Sequence, residues 1–332
     1  MNGYERMMAA ISGRTVDRPP VWPFVMTFAA KYAGVPYGEF STDCRQMAKA
    51  LIRITEDFDL DCITVDSDAY REATACGAIL DFPVDDLPHV KKYAITAPGK
   101  FNFVQPRIED CERLVDKIEG VRLVKEYFKN DKAVSGWIEA PLQCAGTLYN
   151  MQDYMSDIYE NPEFIEELLA FITQLDIRFA REQIRAGADI IGIGDAMASL
   201  VSPSIYEKYF LPYTKEAVRE IKRGNNVKLK YHICGNATHL LKYAEEIGFD
   251  IVNIDHPVNF SEAIQLVHGN IAIKGNVDPV VLLNSTPQHI YEEVQKLLNL
   301  HYPRFILSPG CEVGRDTPIE NFAVFLNSAK KQ

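Results

Sequence analysis

The chain has 332 residues, 47% of them hydrophobic, so it is long enough to bury a large core and too apolar to be disordered. Its net charge of −11 disfavours nucleic acid or an anionic membrane as a partner, because both bind basic surfaces. The seven scattered cysteines do not have the pattern of a disulfide framework. With neither a membrane-spanning run nor a signal-peptide pattern in the sequence, we expect a cytoplasmic protein.

Eight apolar runs alternate with helical patterns along the chain. A short amphipathic helix is predicted at the N-terminus. Strands are predicted over residues 19–25, 62–68, 133–141, 189–197, 227–235, 250–257, 271–279 and 304–312. Further helices are predicted over residues 161–187, 202–224, 237–248, 260–269 and 286–300. This alternation predicts a parallel sheet, and eight strands fit a (β/α)8 TIM barrel forming one domain over residues 1–332.

A doubly wound open sheet is the alternative fold, but no glycine-rich phosphate-binding turn follows the first predicted strand. The segment 69–132, which follows the second strand, is too long for one crossover helix. We therefore predict an insertion there, at the mouth of the barrel. Within it, the sequence KFNFVQ at residues 100–105 could form an extra strand or hairpin.

Polar residues end most of the predicted strands, and in a TIM barrel the functional residues gather at these carboxyl ends. The polar strand ends are Asp66, Asp68, Glu139, Asp195, His232, Cys234, Asp255, Asn276, Asp278, Cys311 and Glu312. Such a rim suggests a cation, a metal or hydrogen-bond donors nearby, because unpaired buried carboxylates are costly. The candidate catalytic residues are Asp66, Glu139, Asp195 and Tyr154. The candidate cofactor-binding residues are Asp255, Asn276 and Asp278, although residues of this kind also cap helices and order loops.

His232 and Cys234 are two apart on a predicted strand, so their side chains point to the same face. Cys311 ends the eighth run at the same level of the barrel. These three residues could bind zinc, which accepts nitrogen and sulfur ligands and keeps a fourth position open in catalytic sites. That position could be filled by water, Glu139, Asp195 or another residue of the rim. The alternatives are a cysteine–histidine nucleophilic pair and ordinary buried core residues.

Two motifs carry a family resemblance: YHICGN at 231–236 and PGCEVGRDTPIENF at 309–322. With ERMMAAISGRTVDRPPVWPF (5–24), SPSIYEKYFLPY (202–213) and IKGNVDP (273–279), they resemble the uroporphyrinogen decarboxylase superfamily. Within it, they resemble the zinc-dependent corrinoid branch, the methylcobamide:coenzyme M methyltransferases and their relatives. The resemblance implies that His232, Cys234 and Cys311 bind Zn²⁺. It also implies a methylated corrinoid carried by a small partner protein, and a small thiol or methylated substrate.

One departure from the superfamily pattern bears on the reaction. Uroporphyrinogen decarboxylases carry an arginine-rich motif after the first strand, whereas this chain reads VMTFAAKYAG at 25–34, without arginine. The resemblance therefore favours methyl transfer between a corrinoid protein and a thiol or another small methyl acceptor or donor, without deciding the direction of transfer. Demethylation of a small substrate, decarboxylation and a non-catalytic zinc-stabilised scaffold for a corrinoid protein are the alternatives. A coenzyme M acceptor would need a cation for its sulfonate, with Lys230, Lys274 and Arg315 as candidates.

Overall fold

The structure is a computed structural model that describes residues 1–330. Its strands are β1 (Cys62–Thr64), β2 (Ile79–Asp81), β3 (His89–Lys92), β4 (Ala133–Glu139), β5 (Ile190–Gly194), β6 (Lys228–Ile233), β7 (Ile251–Ile254), β8 (Ala272–Val277) and β9 (Phe305–Pro309). Seven of these strands form one parallel sheet in the order β1-β4-β5-β6-β7-β8-β9, while β2 and β3 form an antiparallel pair.

The helices alternate with the strands of the parallel sheet. They are α1 (Gly3–Ile11), α2 (Thr27–Ala33), α3 (Tyr37–Thr42), α4 (Cys44–Phe58), α5 (Arg71–Ala75), α6 (Glu112–Phe128), α7 (Pro141–Leu148), α8 (Met151–Glu160), α9 (Pro162–Arg185), α10 (Pro203–Ile205), α11 (Leu211–Lys222), α12 (Ala244–Ile247), α13 (Phe260–Leu266), α14 (Pro279–Asn284), α15 (Pro287–Leu298) and α16 (Ile319–Asn327). Ile108–Asp110, Ala196–Leu200 and Thr238–Tyr243 are 3₁₀ turns, and Tyr206–Phe210 is a π turn joining α10 to α11. Within residues 1–330, every helix is too short or too polar to span a bilayer.

The segment 20–24 occupies the place of the eighth strand and closes the barrel. Val21 bridges to Leu307 of β9, and its carbonyl accepts a hydrogen bond from the backbone N–H of Asp61, next to β1. Phe24 bridges to Glu312 further along. The run 19–23 contains three prolines, which lack an N–H donor, so it forms isolated bridges rather than a regular strand. The predicted TIM barrel is confirmed and the open sheet is excluded, but the first predicted strand is irregular.

The N-terminal helix α1 covers the end of the barrel where the strands begin. Its buried Met7 and Ile11 pack against the first residues of several strands, including Cys62 of β1 and Ala133 of β4. The cap at Asn2 explains where this helix begins, because its side chain accepts a hydrogen bond from the backbone N–H of Glu5. One end of the barrel is therefore sealed by apolar side chains, and functional side chains are left to the other.

The insertion after β1 is confirmed, but the prediction for residues 100–105 is wrong. These residues form neither helix nor strand, and the extra hairpin is β2–β3, at residues 79–92. The side chain of Gln105 donates a hydrogen bond to the backbone carbonyl of Phe171. The Phe101 ring packs edge-on against the Phe171 ring. The aromatic residues that suggested a strand therefore pack on α9 instead.

The helix boundaries follow local signals in most cases. Pro162 and Pro287 begin α9 and α15, and Thr286 caps α15 by accepting a hydrogen bond from the backbone of His289. Asn161 directly precedes α9 but does not cap it, because its side-chain amide donates a hydrogen bond to Asp157. Residues 237–248 form mostly a 3₁₀ turn before α12, where the sequence predicted one helix.

Candidate metal centre and its cavity

Three predicted ligands meet at the open end of the barrel. His232 lies near the end of β6, Cys234 directly follows that strand, and Cys311 follows β9. Gly235 turns the chain away with a φ of 78°, a conformation that favours glycine. Its backbone N–H donates to the Asp255 carboxylate at 2.7 Å, which fixes the loop carrying Cys234.

The distances between the three side chains suit a tetrahedral metal. Cys234 Sγ lies 3.3 Å from His232 Nε2 and 3.5 Å from Cys311 Sγ, and Cys311 Sγ lies 3.9 Å from His232 Nε2. Zinc with its usual bond lengths holds tetrahedral nitrogen and sulfur ligands about 3.6–3.8 Å apart. These residues therefore fit the ion without a large movement, and three ligands leave one position free.

The two thiols share a hydrogen bond that makes them unequal. The pKa of Cys311 is lowered because the Cys234 thiol donates to it and because His232 lies beside it. The pKa of Cys234 is raised by the same hydrogen bond and by burial. A thiolate is the form of cysteine that binds a metal, so the cluster already favours one of the two charges that zinc ligation needs.

A small cavity of about 200 Å³ opens beside the three ligands. It is lined by Phe24, Met26, Asp66, Asp68, Ala69, Trp137, Glu139, Gln143, Gly194, Asp195, Ala196, His232, Cys234, Cys311 and Glu312. One wall is apolar, with the rings of Phe24 and Trp137 stacked at 5.2 Å between centroids. Carboxyl groups line the cavity beside these rings. A molecule bound here would therefore contact the metal site, an aromatic surface and an acidic surface at once.

Gly194 of β5 makes room for this arrangement. It is paired with Glu139 of β4 on one side and His232 of β6 on the other. A methyl group added at Gly194 would come within 2.6 Å of the Trp137 ring and 2.8 Å of the Glu139 carboxylate. The absence of a side chain in the middle strand is what lets Trp137 lie flat across the interior.

The carboxyl groups of the cavity belong to two kinds. Asp66 forms a buried ion pair with Lys117, and Asp68 pairs with Arg113 at 2.6 Å. Glu139, by contrast, accepts a hydrogen bond from the neutral Trp137 indole at 2.8 Å, and its pKa is raised well above the usual value by burial. The predicted candidates Asp66 and Glu139 both line the cavity, but Asp66 is already paired with a cation.

Asp195 also lines the cavity and begins a buried chain of hydroxyl groups. Its Oδ2 accepts a hydrogen bond from Tyr231 at 2.5 Å, and the Tyr231 hydroxyl lies 2.9 Å from that of Tyr206. Burial raises the pKa of Asp195 to about 7, although the Tyr231 hydrogen bond lowers it. Its second oxygen is buried and has no hydrogen-bond partner among residues 1–330. Asp195 can therefore offer an acceptor to a molecule in the cavity.

The remaining candidates lie elsewhere. Tyr154 is fully buried on α8, and it does not line the cavity. Asn276 and Asp278 line a separate cavity of about 300 Å³ beside His256. In that region Asp278 caps α14, and the side chain of Asn276 donates to backbone carbonyls. Asp255 holds the loop after Cys234, as described above. The structure therefore does not bring these residues to the candidate metal centre.

The three candidate sulfonate partners also lie away from the cavity. Lys230 and Lys274 are fully buried inside the barrel, where Lys274 donates to Asn253 and Ser308. Burial lowers the pKa of Lys230 to about 7 and that of Lys274 well below its usual value. Arg315 hydrogen-bonds the backbone carbonyl of Asp85 in the β2–β3 connection. None of the three lines the cavity.

Sequence reasoning missed four larger side chains that line the cavity: the aromatic residues Phe24 and Trp137, the thioether of Met26 and the amide of Gln143. Trp137 had a detectable signal, because it lies two residues before Glu139 on β4 and so points to the same face. The signal for Phe24 was weaker, because the prolines before it make the direction of side chains along that predicted strand uncertain. Gln143 accepts a hydrogen bond from the backbone of Met197, a contact made only in the folded chain.

Seven parallel strands closed by the segment 20–24, with a histidine–cysteine–cysteine cluster at the open end, define a TIM-barrel protein with a candidate catalytic metal centre. The chain belongs to the uroporphyrinogen decarboxylase (URO-D) family, whose pattern matches residues 2–332. It is 30% identical to a uroporphyrinogen decarboxylase of Trichodesmium erythraeum, over 98% of this chain and 95% of that protein. It is 28% identical to the methylcobamide:CoM methyltransferase MtbA of Methanosarcina acetivorans, over 98% and 97%. A solved methyltransferase from Methanosarcina mazei has the same fold, with a TM-score of 0.86, 22% identity and coverage of 100% of this chain and 99% of that one.

Proposed function

We propose that this protein is a zinc-dependent methyltransferase that moves a methyl group between a corrinoid protein and a thiol or another small methyl acceptor or donor. The observation that carries the proposal is the cluster of His232, Cys234 and Cys311, which faces a small cavity at the open end of the barrel. Relatives named as methylcobamide:CoM methyltransferases over nearly the whole chain support the same reaction class.

The donor set supports a catalytic rather than a structural ion. Two sulfurs and one nitrogen favour zinc over magnesium or calcium, which prefer oxygen ligands. Structural zinc sites are normally closed by four protein ligands, and the described residues contribute only three at this cluster. This argues against the alternative of a zinc-stabilised scaffold that only binds a corrinoid protein.

Zinc held by these ligands would act as a Lewis acid that stabilises the thiolate form of a bound thiol, or the leaving group of a methylated substrate. The residues around it position the small molecule and limit access of water. Phe24 and Trp137 form an apolar wall beside the ligands, and Glu139 and Asp195 form the polar one. The cavity lies at the open end of the barrel, where the partner corrinoid protein would dock.

Decarboxylation of a polycarboxylate is the second candidate, because a decarboxylase is among the relatives. The structure offers little support for it. Residues 25–34 form helix α2 and its flanks, where Lys31 is the cationic residue, and Lys31 pairs with Asp316 on the surface. A substrate with many carboxylates would face the acidic cavity wall and would have no cationic clamp.

Metal analysis tests the first step of the proposal. We expect about one zinc per purified chain, and a loss of that zinc in the Cys311→Ala and Cys234→Ser variants. The Cys44→Ala variant is the matched control, since Cys44 lies at the start of α4, outside the cluster. Stoichiometric zinc that survives the Cys311→Ala substitution would contradict the proposed ligand set.

Methyl transfer is tested with free methylcobalamin and small thiols, following the loss of its absorbance. The wild-type protein and Cys44→Ala should consume methylcobalamin, while Cys234→Ser should not. If only the reverse reaction proceeds, from a methylated substrate to reduced cobalamin, the demethylating alternative is supported. Turnover of uroporphyrinogen by the zinc-free protein would instead support the decarboxylase.

A further inference from the structure

The acidic wall of the cavity consists of carboxyl groups with neutral partners. Glu139 accepts from the Trp137 indole, Asp195 from the Tyr231 hydroxyl, and Glu312 from the backbone and hydroxyl of Thr27. Within residues 1–330, none of these three carboxyl groups forms an ion pair with a lysine or arginine. Burial raises the pKa of Glu139 and Asp195, and a positive group beside them would favour their charged forms, which the described residues do not provide through an ion pair.

Other carboxyl groups at the same rim do have cationic partners. Asp66 and Asp68 are paired with Lys117 and Arg113, both of which come from helix α6. Glu139 and Asp195 line the cavity together with the candidate metal ligands, and neither forms an ion pair with a lysine or arginine of the described residues. The carboxyl groups without cations are therefore the ones that a molecule bound beside the metal would contact.

A further buried cation, Lys230, contacts aromatic rings and does not line the cavity. Its Nζ lies 4.5 Å from the ring centres of both Trp22 and Trp137, and Trp137 is part of the apolar cavity wall. Lys274 is engaged by Asn253 and Ser308. Apart from the metal ion itself, an acidic group on a bound molecule would thus meet carboxyl groups and aromatic rings, because no lysine or arginine lines the cavity.

One cavity surface is already prepared to accept a positive group. Asp195 Oδ1 is fully buried and has no partner among the described residues, although Asp195 lines the cavity. In the same cavity, Phe24, Met26 and Trp137 offer apolar and aromatic contacts. An alkylated ammonium group suits both surfaces, because it is attracted by carboxylates and aromatic rings and carries apolar methyl or methylene groups.

We propose that the small methyl donor or acceptor of this site carries an ammonium or similar positive group, and that the cavity discriminates against sulfonates and other acidic molecules. This inference rests on the proposed function, because it names the substrate class of the same site. It separates this protein from relatives named for CoM, whose acceptor is a thiol with a sulfonate group.

Calorimetric binding of three matched thiols to the zinc-loaded protein tests the inference. Aminoethanethiol, mercaptoethanol and mercaptoethanesulfonate have the same two-carbon thiol and differ in charge. We expect aminoethanethiol to bind at least about tenfold more tightly than the sulfonate, with the neutral thiol between them. Equal affinities, or a preference for the sulfonate, would overturn the inference and leave the methyltransferase proposal intact.

Substitutions then assign the preference to the acidic wall. Glu139→Gln and, independently, Asp195→Asn should each reduce the ratio of affinities to about threefold or less. Glu320→Gln makes the same chemical change on the surface of α16 and should leave the ratio unchanged. A ratio that stays at its wild-type value in both cavity variants would show that these carboxyl groups do not select the substrate.

A zinc-independent measurement separates failure of the inference from failure of the proposed function. Tryptophan fluorescence of the metal-free protein arises from Trp22 and Trp137, of which Trp137 lines the cavity, and it is titrated with tetramethylammonium and with methanesulfonate. Binding of tetramethylammonium but not methanesulfonate supports the inference, even if no thiol binds the zinc-loaded protein and the thiol-transfer proposal fails. Absence of tetramethylammonium binding, or equal binding of methanesulfonate, refutes the inference.

Discussion

Replacement of Gly194 by alanine tests whether the geometry of the site depends on the bare middle strand. The added methyl group would lie 2.6 Å from a carbon of the Trp137 ring, whereas carbon atoms in contact prefer about 3.5 Å or more. The ring must therefore retreat by about 1 Å. Its stacking on Phe24 and its hydrogen bond to Glu139 both resist that movement.

The expected cost follows from this crowding. Overpacking of a filled core costs about 1–3 kcal/mol, and we expect the free energy of unfolding to fall by that amount. The three atoms nearest to the added methyl group belong to Trp137 and Glu139, so the zinc content should stay at its wild-type value. The rate of methyl transfer should fall by about 10- to 100-fold, because misplacement by about 1 Å has effects of that size.

The assay compares Gly194→Ala with Gly120→Ala by urea unfolding followed by circular dichroism, with metal analysis and the methylcobalamin assay. Gly120 is a buried glycine of α6, and its added methyl group would lie 3.3 Å from the Val65 side chain, a milder contact than the 2.6 Å at Gly194. The higher helix propensity of alanine should offset this crowding. If Gly194→Ala unfolds like Gly120→Ala and transfers methyl groups at the wild-type rate, the inferred rigidity of Trp137 is wrong.

Two further predictions concern buried ion pairs. Asp61 is fully buried between Arg6 and Arg18, so Asp61→Asn should cost about 3–5 kcal/mol of unfolding free energy, measured by urea unfolding. Asp17→Asn, which loses an exposed partner of the same Arg6, should cost under about 1 kcal/mol, and equal losses would contradict this contrast. Arg113 lowers the pKa of buried Asp68 to about 2, despite the opposing effect of burial. Ionised Asp68 should therefore stabilise the folded protein by about 2 kcal/mol above pH about 4, and this stabilisation should be lost as the pH falls towards 2. Asp68→Asn should lack that part of the acid dependence; an unchanged acid profile would exclude the pair as its source.

The barrel and the candidate metal cluster could be predicted because both depend on local patterns. Alternating apolar runs and capped helices determine the strand order. His232 and Cys234 share a face by strand periodicity alone. Cys311 could be added because carboxyl ends of parallel strands meet at one rim. The zinc ion itself and the roles of the cavity residues stay predictions.

Other features could not be predicted, because they depend on contacts between distant parts of the chain. The sequence does not show that Asp66 is paired with Lys117 while Glu139 has a neutral partner, since that difference arises from the packing of α6 against the barrel. Tyr154 lies among polar residues in the sequence, which suggested that it could reach the cavity. In the structure, α8 buries its side chain in the core. The aromatic residues at 101 and 103 suggested a strand, yet they pack on α9.

The irregular closure of the barrel has a consequence for how the cavity can change shape. Between β9 and β1 the wall is joined by isolated bridges through residues 20–24, whereas β4 to β8 are joined by continuous ladders. Local opening is easiest where backbone hydrogen bonds are few. Phe24 lies at this junction, and its carbonyl accepts a hydrogen bond from Val313, two residues after Cys311. Breathing of the junction would therefore widen the cavity while the ladders from β4 to β8 stay intact.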